Sequence, residues 1–263
     1  MNKNLACKGL LILACILLLC VISARVGQSG ADGLEDISIV MPDDAVTLTE
    51  MPEPTPESTP EPTPEPYADK PDADVYSWEL RLVNNTHVLT GSFTPDEVVE
   101  VRDGAYFDSR AADALESMLL GAEEAGYTVY VKEGYRPYTS QATMFFGRAS
   151  IIALDPDIPY EEAETLARSI VAYPGTSDHQ TGLAADIVDD YSTSLDSEAL
   201  GDLPVLLWLQ ENCAQYGFIY RYPEDKKDIT GWYEPWHFRY VGVEAAEYMM
   251  ENNLCLEEFI ALY

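Results

Sequence analysis

Residues 174–186 read PGTSDHQTGLAAD. A Gly/Ser/Thr-rich loop passes through His179 and enters the apolar run GLAADIVD (182–189), which reads as a strand and carries Asp186 within it. His179 is one of only three histidines in 263 residues. A second, His237, lies in EPWHFRYVG (234–242), three residues after Glu234 and again in a short strand pattern. A chain this poor in histidine places two of them beside carboxylates at strand ends. Whether they share one site depends on how the strands pair.

Helical and strand patterns alternate on both sides of this stretch. VYSWELRLVN (75–84) suggests a first strand. DSRAADALESMLLGAEEAG (108–126) has apolar residues at helical spacing, an Asp108 or Ser109 cap and Gly126 just past the end. YTVYVKE (127–133) alternates as a strand. TSQATMFFGRASIIA (139–153) and YEEAETLARSIVAY (160–173) read as helices. SEALGDLPVLLWLQENCAQYG (197–217) reads as a helix broken early by Pro204. FIYRY (218–222) and WHFRYVG (236–242) read as strands, and VEAAEYMMENN (243–253) as a helix. The strands are short and unevenly spaced, so a doubly wound parallel sheet is not indicated. The expected fold is α+β, with helices packed on a small antiparallel sheet.

The N-terminal part has a different character. Residues 1–25 carry Lys3 and Lys8 ahead of the uncharged run LLILACILLLCVISA (10–24), the layout of a signal peptide or a membrane anchor. Leu19 is bulky before Cys20, and Cys15 lies early, so a lipid attachment site is not expected. Residues 26–73 are acidic and proline-rich. Within them MPEPTPESTPEPTPEP (51–66) holds seven prolines and four glutamates, an extended spacer of about 50 Å rather than a core. The folded domain is expected over 74–263 and is large enough to stand without cross-links. Cys213 and Cys255, the cysteines within it, permit one disulfide and do not make a disulfide scaffold.

The net charge is −31, and from Tyr76 onward 33 acidic residues still oppose 11 basic ones. Such a surface repels nucleic acid and anionic lipid headgroups, so neither is expected as a partner. It suits an exported, soluble domain, expected here to act as a monomer outside the cytoplasm.

The chemistry centres on the two histidine stretches. Catalytic zinc sites use three ligands from His, Asp and Glu and keep one position open. His179, Asp186 and His237 form such a set if the loop folds back and the strands neighbour each other. Glu234 would then stand beside the metal, free to take a proton from water. A hydrogen-bonded structural His–Asp pair is the alternative reading of the same residues.

Three stretches together resemble a known family. PGTSDHQTGLAADI is similar to the S-x-H-x-x-G-x-A-x-D signature of the zinc D-alanyl-D-alanine carboxypeptidases, the VanY branch of the M15 peptidase family. EPWHFRYVG resembles that family's E-x-W/P-H element and GYRPYTSQ (134–141) its Y-R-x-x-x-x-Q element, in the family's order. The resemblance runs from about Glu79 to Val241 and implies a fold of the Hedgehog/DD-peptidase kind. It implies one zinc per chain, held by His179, Asp186 and His237, with Glu234 as general base. It further implies that Arg136 holds the scissile carbonyl oxygen, that Gln141 and Ser177 contact substrate, and that the substrate is a peptidoglycan stem peptide losing its C-terminal D-alanine. Two positions depart from the family pattern: Glu133 stands where a serine is common before Gly-Tyr-Arg, and Asp178 where glutamate is common before the first histidine. The third histidine, His87, follows a Leu-Val-Asn stretch and reads as structural. Two rival readings remain open: an L,D-carboxypeptidase acting on tetrapeptide stems, and a non-catalytic wall-binding module with structural zinc, for which Cys213, Cys255 or His87 would have to supply a fourth ligand.

Overall fold

The computed structural model describes residue 67 and residues 69–195 and 198–263, all within one unit, Pro62–Tyr263. The expected signal or anchor at 1–25 lies outside the described residues, as does nearly all of the expected linker at 26–73. Among the described residues no helix is long and apolar enough to cross a membrane.

Two sheets organise the chain. A small hairpin pairs β1 (Val98–Glu100) with β2 (Tyr106–Asp108). The main sheet has four antiparallel strands: β3 (Tyr130–Glu133), β4 (Ala184–Val188), β5 (Phe218–Tyr220) and β6 (His237–Tyr240), in the spatial order β3-β4-β6-β5. The α+β expectation holds, and the strand patterns at 127–133, 182–189, 218–222 and 236–242 each contain one of these strands. All five residues of β4 are buried, so both faces of the central strand are covered. That explains why 182–189 reads as a continuous apolar run rather than an alternating one.

Helix α1 (Ala112–Glu124) buries Ala112, Leu115, Met118, Leu119 and Ala122 along one stripe. This stripe meets Val131, Ala185, Ile187, Phe218 and Phe238 of the sheet, together with Val205, Leu206 and Leu209 of α4 (Pro204–Asn212). Each fully buried Leu or Met there contributes roughly 1.5–3 kcal/mol, and truncating Leu115 to Ala would cost about 2–5 kcal/mol. α2 (Tyr138–Ile152) and α3 (Tyr160–Ala167) pair around Phe145, Ala149 and Ala167. A second cluster joins Leu80, Ile219 and Val241 to α6 (Val243–Glu251) and α7 (Leu256–Ile260). The short α5 (Lys227–Thr230) precedes β6.

Several local expectations fail for identifiable reasons. Residues 75–84 are not a strand. Asp74 turns the chain there, its side chain accepting from Tyr76 N (3.0 Å) and its carbonyl from Ser77 N (2.9 Å). The carbonyls of Glu79 and Arg81 are satisfied by the Arg239 guanidinium instead of a ladder partner. Asp108 does not cap α1, because it lies in β2 and its carboxylate is engaged by Arg110; Ser109 does not cap it either, and the helix starts after Ala111. Gly126 does follow the helix end, at φ +94°. The helix expected over 160–173 stops at Ala167, beyond which Arg168 lies 3.9 Å above the Tyr173 ring. The break expected at Pro204 within 197–217 is present, with a 3-10 turn before it and α4 beginning at Pro204, but the helix ends at Asn212 and a second 3-10 turn follows. Cys213 and Cys255 are separate buried free thiols.

Candidate metal centre and substrate cleft

The antiparallel register of β4 and β6 sets Asp186 directly opposite His237. Cross-strand partners in such a ladder project to the same face, so the two side chains meet without further adjustment. His237 Nδ1 lies 3.0 Å from Asp186 Oδ1. His179 arrives from the 3-10 turn Asp178–Thr181 that leads into β4, and its Nε2 stands 3.3 Å from Asp186 Oδ2. The turn closes through Gly182 at φ +73°, where a Cβ would lie 3.1 Å from Pro95 Cγ and 3.3 Å from the Asp108 nitrogen. Both the left-handed backbone and the close approach require glycine.

His179 Nδ1 donates to the Gly134 carbonyl at 2.7 Å. That bond fixes the tautomer and turns the Nε2 lone pair toward Asp186 and His237. The two imidazole rings stand edge to face at 4.8 Å. His179, Asp186 and His237 are all buried and offer three ligand atoms within 4.8 Å of one another. Tetrahedral zinc with ligands at about 2.0–2.2 Å asks for ligand atoms roughly 3.3 Å apart; the 3.0 and 3.3 Å contacts of Asp186 with His237 and His179 are close to this, and two imidazole nitrogens with one carboxylate are a donor set that suits the ion.

Glu234 is brought in by the tight turn before β6, where His237 N donates to Glu234 O at 3.1 Å. Its Oε2 lies 3.6 Å from His237 Nδ1, and its side chain remains 26% exposed, on the cleft side of the cluster. Enclosure, with the neighbouring Asp186 charge, pushes its pKa up to about 7 against the opposing pull of His179 and Arg136. Asp186 moves the other way. Burial works against its charge, but His179 and His237 outweigh burial and hold it ionised well below the usual carboxylate range. Two carboxylates in one site thus take different protonation behaviour, one suited to a ligand and one to proton transfer.

Arg136, Gln141 and Ser177 also converge. Arg136 Nε donates to Gln141 Oε1 at 2.7 Å, Nη1 to Glu133 Oε2 at 3.1 Å and Nη2 to Ser177 Oγ at 3.4 Å. Gln141 is buried, and its amide donates to Ala172 O at 2.6 Å. In this arrangement Gln141 orients Arg136. Glu133 occupies part of the guanidinium that a serine would leave open. His87 is tied to Asn84 and Thr86 in an exposed turn, away from the cluster.

A further layer lies behind the histidines. Asp178, fully buried, accepts from Arg221 Nε at 2.9 Å and Arg239 Nη1 at 2.8 Å, and its Oδ2 is 4.0 Å from His237 Nε2. Arg221 in turn donates to both carboxylate oxygens of Glu257 at 2.8 Å. Sequence reasoning missed this network. The available signal was an arginine inside each of the strand-like runs FIYRY and WHFRY, since a buried guanidinium needs a buried carboxylate.

Arg136, Ser177, His179, Asp186, Glu234 and His237 line one cleft of about 550 Å³. A small antiparallel sheet carrying a two-histidine, one-aspartate cluster, with a titratable carboxylate beside it and a guanidinium across the cleft, has the layout of a mononuclear hydrolytic metal centre. Residues 104–243 match the family described as VanY, D-alanyl-D-alanine carboxypeptidase. The chain belongs to this family. It is 40% identical over 190 residues to the Bacillus subtilis protein YodJ, a match covering 68% of this chain and 66% of that protein, just under two thirds of its length. Among solved structures it is similar to the LD-carboxypeptidase LdcB (38% identity, TM-score 0.59, covering 68% of this chain and 84% of that one). It is also similar to the vancomycin-resistance D,D-pentapeptidase VanY in complex with Zn(II) (36% identity, TM-score 0.60, covering 70% and 99%).

Proposed function

We propose that the protein is a zinc-dependent carboxypeptidase that removes the C-terminal D-alanine from peptidoglycan stem peptides. The observation that carries this reading is the convergence of His179, Asp186 and His237, with Glu234 at 3.6 Å from His237 Nδ1, in a chain of the VanY family. His179, Asp186 and His237 hold the zinc. Zinc, when bound, supplies Lewis acidity that polarises a carbonyl and acidifies water.

Glu234 takes the proton from the attacking water and later delivers it to the departing amine of D-alanine. Arg136 faces the scissile carbonyl oxygen and stabilises the negative charge that builds on it, its plane held by Gln141 and Glu133. Ser177, bonded to the same guanidinium, contacts the substrate's end. Asp178, pinned between Arg221 and Arg239, sets a fixed negative charge behind His237.

The N-terminal residues fit an exported enzyme: residues 1–25 as signal or anchor, and the proline-rich stretch as a spacer that carries the domain outward into the wall. Release of D-alanine from a synthetic pentapeptide tests the reading. The L,D alternative is favoured by the similarity to LdcB, and it predicts release from a tetrapeptide and none from the pentapeptide.

A further inference from the structure

The cleft's charge runs against that of the domain around it. From Tyr76 onward there are 11 basic and 33 acidic residues. The cleft nevertheless gathers four of those basic side chains, Lys132, Arg136, Arg148 and Lys227, and only three acidic ones, Glu133, Asp186 and Glu234. Asp186 and Glu234 belong to the metal centre and Glu133 is paired to Arg136. A basic cleft in an acidic body focuses the field on an anionic ligand.

Arg148 stands apart from the other cations of the cleft. Arg136 is held by Glu133, Gln141 and Ser177, while Lys132 donates to the carbonyls of Tyr191 and Thr193. Lys227 has an interaction of its own. Arg148 has no hydrogen bond, ion pair or ring contact among the described residues, although it is exposed within a domain where anions outnumber cations threefold. It sits on α2 seven residues after Gln141, with Met144 between them also lining the cleft. Residues at these spacings share one helix face. At 1.5 Å per residue Arg148 lies about 10 Å along the helix from the residue that orients Arg136. That distance is about one extended residue, ~3.5 Å, plus the length of a long side chain.

We propose that Arg148 is a specificity-determining residue that binds a second substrate carboxylate, carried at the far end of the third residue's side chain in the stem peptide. The inference rests on the carboxypeptidase reading above. The substrate class it selects is a stem whose third residue is a diaminodicarboxylic acid, in preference to one with lysine there. Both side chains end in an ammonium, but only the former adds a carboxylate beside it, which a guanidinium recognises by a charge-assisted, two-pronged hydrogen bond that offsets the repulsion left uncompensated in the latter.

The test uses two synthetic pentapeptides that differ only at the third residue, diaminopimelate or lysine, and kcat/KM for D-alanine release by the zinc-loaded full chain. Wild type is expected to favour the dicarboxylic peptide by about tenfold or more, the effect of one such contact. Arg148→Gln narrows the ratio toward one mainly through KM, and Arg148→Glu reverses it. Activity of each variant on either peptide reports that it is folded. A wild-type ratio near one, or an equal ratio in wild type and both variants, overturns the assignment of Arg148 while leaving the carboxypeptidase reading standing. Cleavage of neither peptide by wild type overturns that reading, and the Arg148 proposal with it.

Discussion

Asp186 and His237 face each other across two antiparallel strands, with His237 Nδ1 3.0 Å from Asp186 Oδ1. They are 51 residues apart in the chain, yet the ladder register alone brings them together. Two of the three proposed zinc ligands are therefore set by backbone pairing rather than by loop conformation, which gives a rigid platform for the ion.

Replacing His237 by Ala is expected to release most of the zinc. Two ligands remain, one short of the three a catalytic site uses. Metal analysis after dialysis checks this, with circular dichroism to confirm the fold. Full retention with unchanged affinity would remove His237 from the ligand set.

Glu234→Gln should keep zinc and fold and lose turnover by about 10²–10⁴-fold. The amide matches the carboxylate in size but cannot take a proton from water. Steady-state kinetics with metal analysis on the same sample separates the two effects. Activity within a few-fold of wild type contradicts the general-base role.

Arg136→Lys keeps the charge and is expected to cost at least about tenfold in kcat. Lysine cannot hold Glu133 and Gln141 while presenting a further N–H to an oxyanion. A kcat close to wild type would reduce Arg136 to a point charge.

Glu257→Gln is expected to destabilise the domain in a pH-dependent way. Burial opposes the Glu257 charge, but Arg221 outweighs it and lowers the carboxyl pKa below its usual value. A depressed pKa contributes stability that is present above the unfolded value, about 4.3, and is lost as pH falls through the folded one. The difference in unfolding free energy between wild type and variant should be flat above about pH 5 and shrink below about pH 4. Urea unfolding of chelated protein at several pH values measures it, and a difference that grows toward low pH contradicts the assignment.

Part of the fold was legible because it depended on local pattern: the apolar run 182–189 and the stripe of α1 follow from period and apolarity. The candidate site was legible in another way, since the residues alone offered only two histidines near carboxylates, and the proposed ligand set and roles came from the resemblance of three ordered stretches to the VanY family. The parts that were not legible depend on distant partners. Residues 75–84 look like a strand, but whether they pair depends on Arg239, about 160 positions away, which takes their carbonyls. The β1–β2 hairpin is too short, at three residues a strand, to announce itself by alternation. Asp178 reads as a loop residue until Arg221 and Arg239 are seen to close on it.

One zinc, held by His179, Asp186 and His237, is proposed to make this chain a D-alanine-releasing carboxypeptidase. The most direct measurement is a zinc titration of chelated full-length protein, following D-alanine release from pentapeptide at each addition. No release is expected without metal, and activity should rise in proportion to bound zinc and saturate at one ion per chain. Release that persists undiminished in the chelated protein, or none at full zinc occupancy, would contradict this role of the zinc.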